Sequence, residues 1–269
     1  MKNKFLTALI CSACCLSAYA ENQAEHKFYL GAEGTYAMSL DANMNVDTAP
    51  NSISGSYWAG NSYNGYGSKL QQSLGYGALA GYNLTDIFAL ELAYNNRPSF
   101  KYVNTQIYPG SGNDGIGNRT RYFDLQSQTT MLNGVIHLAP IFNILKTFKN
   151  YSNIEPFINL GAGFARNTVT NFHTIGDSGR FSGASYSSMT DKTVYKLAAQ
   201  AGLGLDYSLN SRWKAKVGYR FIYGGKFTSQ NYILDDADNV YSSKTGVAMN
   251  PWKGTLKANE VYLGLTYSL

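Results

Sequence analysis

The chain has 269 residues, 44% of them hydrophobic and only 14% charged, and carries a formal net charge of +5. A balance this mild excludes nucleic-acid binding of the basic-patch kind. With 22 Tyr, 13 Phe and 27 Gly beside 6 Pro, and a slightly negative mean hydropathy, the composition fits a transmembrane β-barrel, where half of each strand faces lipid and half a polar interior.

Lys2 and Lys4 precede an apolar run over residues 5–16, and Ala18-Tyr19-Ala20 supplies an A-x-A cleavage site. Residues 1–20 are therefore expected to be a secretory signal peptide cut after Ala20. The apolar run is shorter than the roughly 20 residues a spanning helix needs. Cys11, Cys14 and Cys15 all lie inside it, so the segment from Glu21 onward has no disulfide or thiolate chemistry. The alternative, lipidation of Cys14 after Ser12-Ala13, lacks the leucine expected where Cys11 stands. Residues 21–269 keep 20 of the 22 basic residues and all 17 acidic ones, a net charge of +3.

Beyond residue 20 no stretch is long and apolar enough to cross a bilayer as a helix. A spanning chain must then cross as strands, and these must close on themselves, because backbone polar groups in lipid have no partner but each other. Period-two alternation predicts strands over 27–38, 74–83 and 87–95. Tyr76, Ala78, Ala80 and Tyr82 look outward on the second and Phe88, Leu90, Leu92 and Tyr94 on the third, with Thr85-Asp86 at the turn between them. Strands over about 120–138 and 154–167 follow, separated by a link, 139–155, in which Ile141, Ile144, Leu145 and Phe148 would line a short helix.

The strongest alternation runs from Tyr195 to Tyr207, with Leu197, Ala199, Ala201, Leu203 and Leu205 on the same face as the two tyrosines. At roughly 3.3 Å per residue and a tilt of about 40°, this segment rises roughly 30 Å, close to an apolar membrane band plus its aromatic girdles. A short link, 208–211, leads into a strand over 213–223 with Trp213, Ala215, Val217, Tyr219, Phe221 and Tyr223 outward. The last strand covers 255–269.

Eight segments predict an all-β fold, a transmembrane antiparallel up-and-down barrel forming one domain over 21–269. Ten strands would follow if a long connection held a further hairpin. Short turns are expected at the periplasmic side and long connections, 39–71, 96–119, 168–192 and 225–254, at the cell surface of a Gram-negative outer membrane.

The run Pro156-Phe157-Ile158-Asn159-Leu160-Gly161-Ala162-Gly163-Phe164 resembles a strand of the opacity-protein and OmpA-like group of small outer-membrane barrels, as do the centres Gly75-Tyr76-Gly77 and Gly202-Leu203-Gly204. The terminal run from Val261 to Leu269 resembles the signal read by the barrel-assembly machinery, with Leu269 where an aromatic residue is usual. The resemblance implies an outer-membrane location and contact with lipid and lipopolysaccharide. It is poor for function, because this fold hosts adhesins, tethers, narrow channels of the OmpW-like kind and a few enzymes.

If the apolar faces look outward, Glu33, Glu91, Lys196, Asp206, Lys214, Lys216, Arg220 and Glu260 point into the lumen. In a barrel of eight strands they would form an ion-paired plug or, alternatively, the lining of a narrow channel. The long connections are rich in aromatics among Asn, Ser and Gly. Tyr57, Trp58, Tyr63, Tyr66, Phe172, Tyr186, Tyr232 and Trp252 are candidates for binding a host or environmental ligand, or else for packing the connections together. No catalytic constellation is expected. His26 and His137 lie away from the surface connections, and His173, with Asp177, Ser178 and Asp191 nearby, has the residue types of a solvated loop. Asp235, Asp236 and Asp238 lack the glycine and distal glutamate of a calcium loop. No zinc, phosphate or nucleotide motif is present, so no metal or cofactor is expected.

Overall fold

The computed structural model describes residues 27–46, 70–106, 119–138, 153–177, 182–183, 185–186, 188–233, 247–248 and 251–269. The predicted signal peptide, the helix expected near Ile141 to Phe148, the first-connection aromatics Tyr57, Trp58, Tyr63 and Tyr66, and Asp235, Asp236 and Asp238 lie outside the described residues.

Eight long strands cross the molecule: β1 (Phe28–Ser39), β2 (Ser73–Asn83), β3 (Phe88–Gln106), β4 (Arg119–His137), β5 (Ile154–Gly176), β6 (Lys192–Ser208), β7 (Trp213–Thr228) and β8 (Trp252–Ser268). Each pairs antiparallel with its sequence neighbours, and β8 returns to β1 from Tyr29↔Ser268 to Ser39↔Ala258, so the sheet is a closed ring with no free edge around its lower part. The four remaining strands among the described residues have two residues each and do not cross. Asn45–Val46 pairs with β8, Ser185–Tyr186 with β5, and Tyr232–Ile233 with Val247–Ala248.

The outer face carries the apolar band. Leu92, Leu132, Leu160, Leu197, Leu203 and Leu263 are each more than half exposed, as they must be if lipid is their solvent. Aromatic side chains bracket the band. Tyr82 packs on Phe28 and Tyr267 on Trp213 at the short-turn end, and Tyr36, Tyr76, Tyr94, Phe164, Tyr195 and Tyr223 face out toward the other. Both short turns are stitched by side chains. Thr85 Oγ1 accepts from the amides of Ile87 and Phe88, and Asn210 Oδ1 from those of Arg212 and Trp213.

Strands β3 and β4 have 19 residues each and β5 has 23, against the 9–11 that a tilted strand needs to cross the hydrocarbon. The excess lies at the long-connection end. There the wall rises beyond the aromatic girdle and its outward residues turn polar: Asp124, Gln126 and Gln128 on β4, Arg166 and Thr170 on β5, Lys253 and Lys257 on β8. Three bulges mark the transition, at Pro98-Ser99 in β3, near Asn171 in β5 and at Gly224-Gly225 in β7. Each inserts one residue and so reverses which parity faces inward. Glu91, Ala93, Asn95 and Arg97 are buried below the first bulge, and Phe100, Tyr102 and Asn104 above it.

Candidate functional site

The lumen is filled in tiers, and the lower tiers are ionic. Glu260 of β8 receives two bonds from Arg97 of β3, from Nε at 2.6 Å and Nη2 at 3.1 Å, and a third from Arg220 Nε of β7 at 2.6 Å. Arg220 also reaches Glu33 of β1 at 2.6 Å and Asn95 of β3 at 3.1 Å, while Arg97 donates to Thr129 of β4 at 3.1 Å. Nearer the short-turn end, Glu91 accepts from Lys216 Nζ at 2.8 Å and from the Tyr29 hydroxyl at 2.9 Å. Aromatic faces complete the solvation of the two cations: Lys216 lies 4.8 Å from the Phe157 ring centre and Arg220 4.6 Å from that of Tyr262. Glu33, Glu91, Arg97, Lys216, Arg220 and Glu260 are all buried, so the cost of desolvating them is offset only because the geometry pairs each one.

Glycines make room for these groups. Asn133 of β4 and Gln200 of β6 bond at 2.7 Å across the intervening strand β5, and the residue of β5 that both face is Gly161, where a Cβ would collide with Asn133. In the same way the Tyr29 ring passes over Gly81 of β2 to reach Glu91 of β3.

Above the ion pairs the lumen is filled mainly by apolar side chains, with Arg121, Asn104 and Thr174 buried among them. Phe100, Tyr102, Phe123, Leu125, Phe172, Phe227, Trp252 and Leu256 form one buried cluster with Ala37, Ala42, Leu70, Val169, Met189 and Ala258. Tyr102 stacks on Phe123 at 4.5 Å, and Trp252 packs against Tyr102 and Phe172 with Arg121 above its ring at 5.4 Å. Two expected ligand-binding aromatics are therefore placed elsewhere than foreseen. Phe172 and Trp252, 2% and 1% exposed, belong to strands β5 and β8 and pack the plug. In β5 the parity reversal at the bulge near Asn171 turns the upper part apolar side inward, whereas β8 has no bulge and Trp252 keeps the inward parity of Leu256 and Glu260. Tyr186 and Tyr232 sit in two-residue strands at the upper rim.

The ionic tiers depart from expectation at two positions. Lys196 has the inward parity of β6 but is exposed, because β6 stops pairing with β7 at Ala199↔Tyr223. Above that pair Asn167 of β5 donates to the carbonyls of Gly224 at 2.7 Å and Lys226 at 3.3 Å. Arg97, by contrast, was absent from the expected set although it carries the lattice's bidentate bond. Its even spacing of six residues from Glu91 was the available signal, hidden because Asn96-Arg97-Pro98 reads as the start of a loop.

Asp206 and Lys214 lie at the short-turn mouth with two residues the sequence did not single out together. Lys214 Nζ is 3.0 Å from Glu155 Oε2, and His137 Nδ1 is 3.6 Å from Glu155 Oε1. His173 faces outward near the opposite end, stacked on Tyr122 at 5.0 Å with its Nδ1–H donating to the Asn171 carbonyl, while Asp177 accepts from Thr120.

A closed antiparallel ring with a lipid-facing apolar band, aromatic girdles and a polar lumen defines a transmembrane β-barrel. Residues 6–268 match the outer membrane protein beta-barrel domain family, and the chain belongs to it; it is an outer-membrane protein. Among solved structures it is similar to Neisserial surface protein A at 12% identity, covering 90% of this chain and 97% of that one with a TM-score of 0.41. It is also similar to OprG of Pseudomonas aeruginosa (14% identity, 90% and 95% covered, TM-score 0.47) and to Ail, the attachment invasion locus protein of Yersinia pestis (11%, 90% and 98%, 0.35). No curated protein matches the sequence significantly.

Proposed function

We propose that the protein is a closed outer-membrane anchor that presents its raised wall and long connections at the cell surface for adhesion or contact with a host or environmental ligand, and that it performs no bond-breaking chemistry. The observation that carries this reading is the double filling of the lumen, ion pairs below and a packed aromatic cluster above. A barrel filled in this way offers no solute path, which leaves its outer surface as the working part.

That surface has the chemistry for a polar ligand. An open groove of about 530 Å³ on the raised wall lies beside Tyr122, His173, Asp124, Lys101, Asn171 and Asp191, combining aromatic faces with charged and amide groups. By the usual barrel orientation the short turns face the periplasm and the groove faces outward. The lipid-facing residues Val261, Leu263 and Leu265 of β8, with Leu269 just after it, suit the same reading, in which outer-membrane lipid, lipopolysaccharide and the assembly machinery are the remaining partners.

Cells displaying the protein are expected to lose adhesion to host cells or matrix when the four long connections are replaced by short Gly-Ser turns, with heat-modifiable gel migration of the barrel retained. Unchanged adhesion overturns the reading. Purified protein in planar bilayers is expected to be silent; stable, reproducible conductance would instead identify a narrow small-solute or ion channel.

A further inference from the structure

The short-turn mouth of the lumen holds a group of side chains that neither the ionic plug nor the outer surface uses. His137 is the last residue of β4, Glu155 the second of β5 and Asp206 lies two residues before the end of β6, and Glu155 and Asp206 are direct cross-strand partners. One ligand-type atom from each, an imidazole nitrogen and two carboxylate oxygens, lies within 4.8 Å of the others. Asp206 is 4% exposed and its Oδ1 has no hydrogen-bond partner among the described residues; His137 is 8% exposed and its Nδ1 has none among them either. Two buried polar atoms left open toward one point are costly unless something fills the gap between them.

The neighbouring cations do not fill it. Lys216 is committed to Glu91 at 2.8 Å, and Lys214 to the far oxygen of Glu155 at 3.0 Å, which leaves Glu155 Oε1 turned toward His137. Three carboxylates, Glu91, Glu155 and Asp206, thus face two ammonium groups at this level. Among the described residues, one more positive charge balances the group when the His137 imidazole serves as a neutral ligand.

We infer that His137, Glu155 and Asp206 form a binding site for a divalent cation of the zinc class at the periplasmic mouth of the barrel. The donor set, one imidazole nitrogen with two carboxylate oxygens, suits zinc, with water entering from the mouth as fourth ligand. Zinc bonds of about 2.0–2.2 Å in a tetrahedron set ligand atoms roughly 3.4 Å apart. The His137–Glu155 spacing of 3.6 Å is already near that value, and side-chain torsions of Asp206 supply the rest. A bound ion would tie the ends of β4, β5 and β6 together and close the plug from below. No spacing motif announced the site, because its ligands come from three successive strands and meet only through the register of their pairing.

Untagged full-length mature protein, folded in detergent micelles, is to be titrated calorimetrically with Zn²⁺ alone, with Asp206→Asn, His137→Gln and the exposed-site control Lys196→Gln alongside; heat-modifiable migration verifies each fold. One ion per chain is expected to bind. Asp206→Asn and His137→Gln should each weaken binding at least tenfold and Lys196→Gln should leave it unchanged. Absence of one-to-one binding in the parent, or parent-like affinity in Asp206→Asn, overturns the site. If His137→Gln does not fold, zinc-edge X-ray absorption of the loaded parent decides: a shell of light N/O ligands with one imidazole supports the assignment, and a shell with none or two overturns it.

Discussion

At the scale of single residues, the lumen depends on groups whose removal leaves others stranded. Glu260 is fully buried and takes bonds from both Arg97 and Arg220, so Glu260→Ala leaves two guanidinium groups facing each other in a water-poor interior. Removing one member of such a pair costs about 3–5 kcal/mol, and equilibrium urea unfolding in lipid vesicles should show a loss of at least that size. Gly161 provides a smaller and sharper case. Its missing side chain is what lets Asn133 meet Gln200, and Gly161→Ala is expected to cost about 1–3 kcal/mol through overpacking. Adding Asn133→Ala should recover part of that loss, since the clash is with Asn133 itself. A double variant less stable than Gly161→Ala alone would contradict this account.

At the scale of elements, Asp124 governs the raised wall. It sits on β4 between the bulges of β3 and β5 and holds one on each side. Its Oδ1 accepts from Ser99 at 2.7 Å and its Oδ2 from Asn171 at 3.0 Å, and Asn171 adopts a left-handed φ of 53° there. Asp124→Ala is expected to remove roughly 1–2 kcal/mol of local stability, discounted for partial exposure. Amide hydrogen exchange should accelerate in residues 99–104 and 170–176 while strands β1 and β8 keep their protection. Uniform protection throughout would refute it. The bulges also explain how much of the fold could be read in advance. Within the membrane band an apolar outer face alternates with a polar inner one, and the expected strand 74–83 differs from Ser73–Asn83 by a single residue. Above the band the outer face is polar and the inner one apolar, and each bulge shifts the phase. Periodicity then cancels, which is why 96–106 and 168–176 read as loops rich in aromatics. For the same reason Phe172 looked like an exposed binding residue when it is plug, while Trp252, on the same inward parity as Glu260, was read as the end of the connection 225–254. The buried ionic residues Glu33, Glu91, Asp206, Lys216, Arg220 and Glu260 follow parity because they lie below the bulges, whereas the same parity put the exposed Lys196 in the lumen and passed over Arg97, immediately beside a bulge.

At the scale of the whole molecule, the two fillings act as barriers in series, and this has a consequence for conduction. A path for ions must cross both the Arg97–Glu260–Arg220 tier and the Trp252–Phe123–Phe172 cluster, so opening either one alone leaves the other intact. Trp252→Ala creates a cavity bordered by Tyr102, Phe172 and Arg121, with a stability loss of about 3–5 kcal/mol, but the Arg97–Glu260–Arg220 tier below it stays intact. Arg220→Ala opens polar space lower down, which water can enter from the mouth, yet the aromatic cluster still caps it. Neither single variant should therefore conduct in planar bilayers. The double variant, which joins wet space below to a breached cluster above, should give small-ion openings in a fraction of insertions. The signature is non-additivity: two silent singles and a conducting double. Conductance in either single would mean that one tier is the whole barrier, and a silent double would mean that further filling at the raised wall is enough to hold the barrel closed.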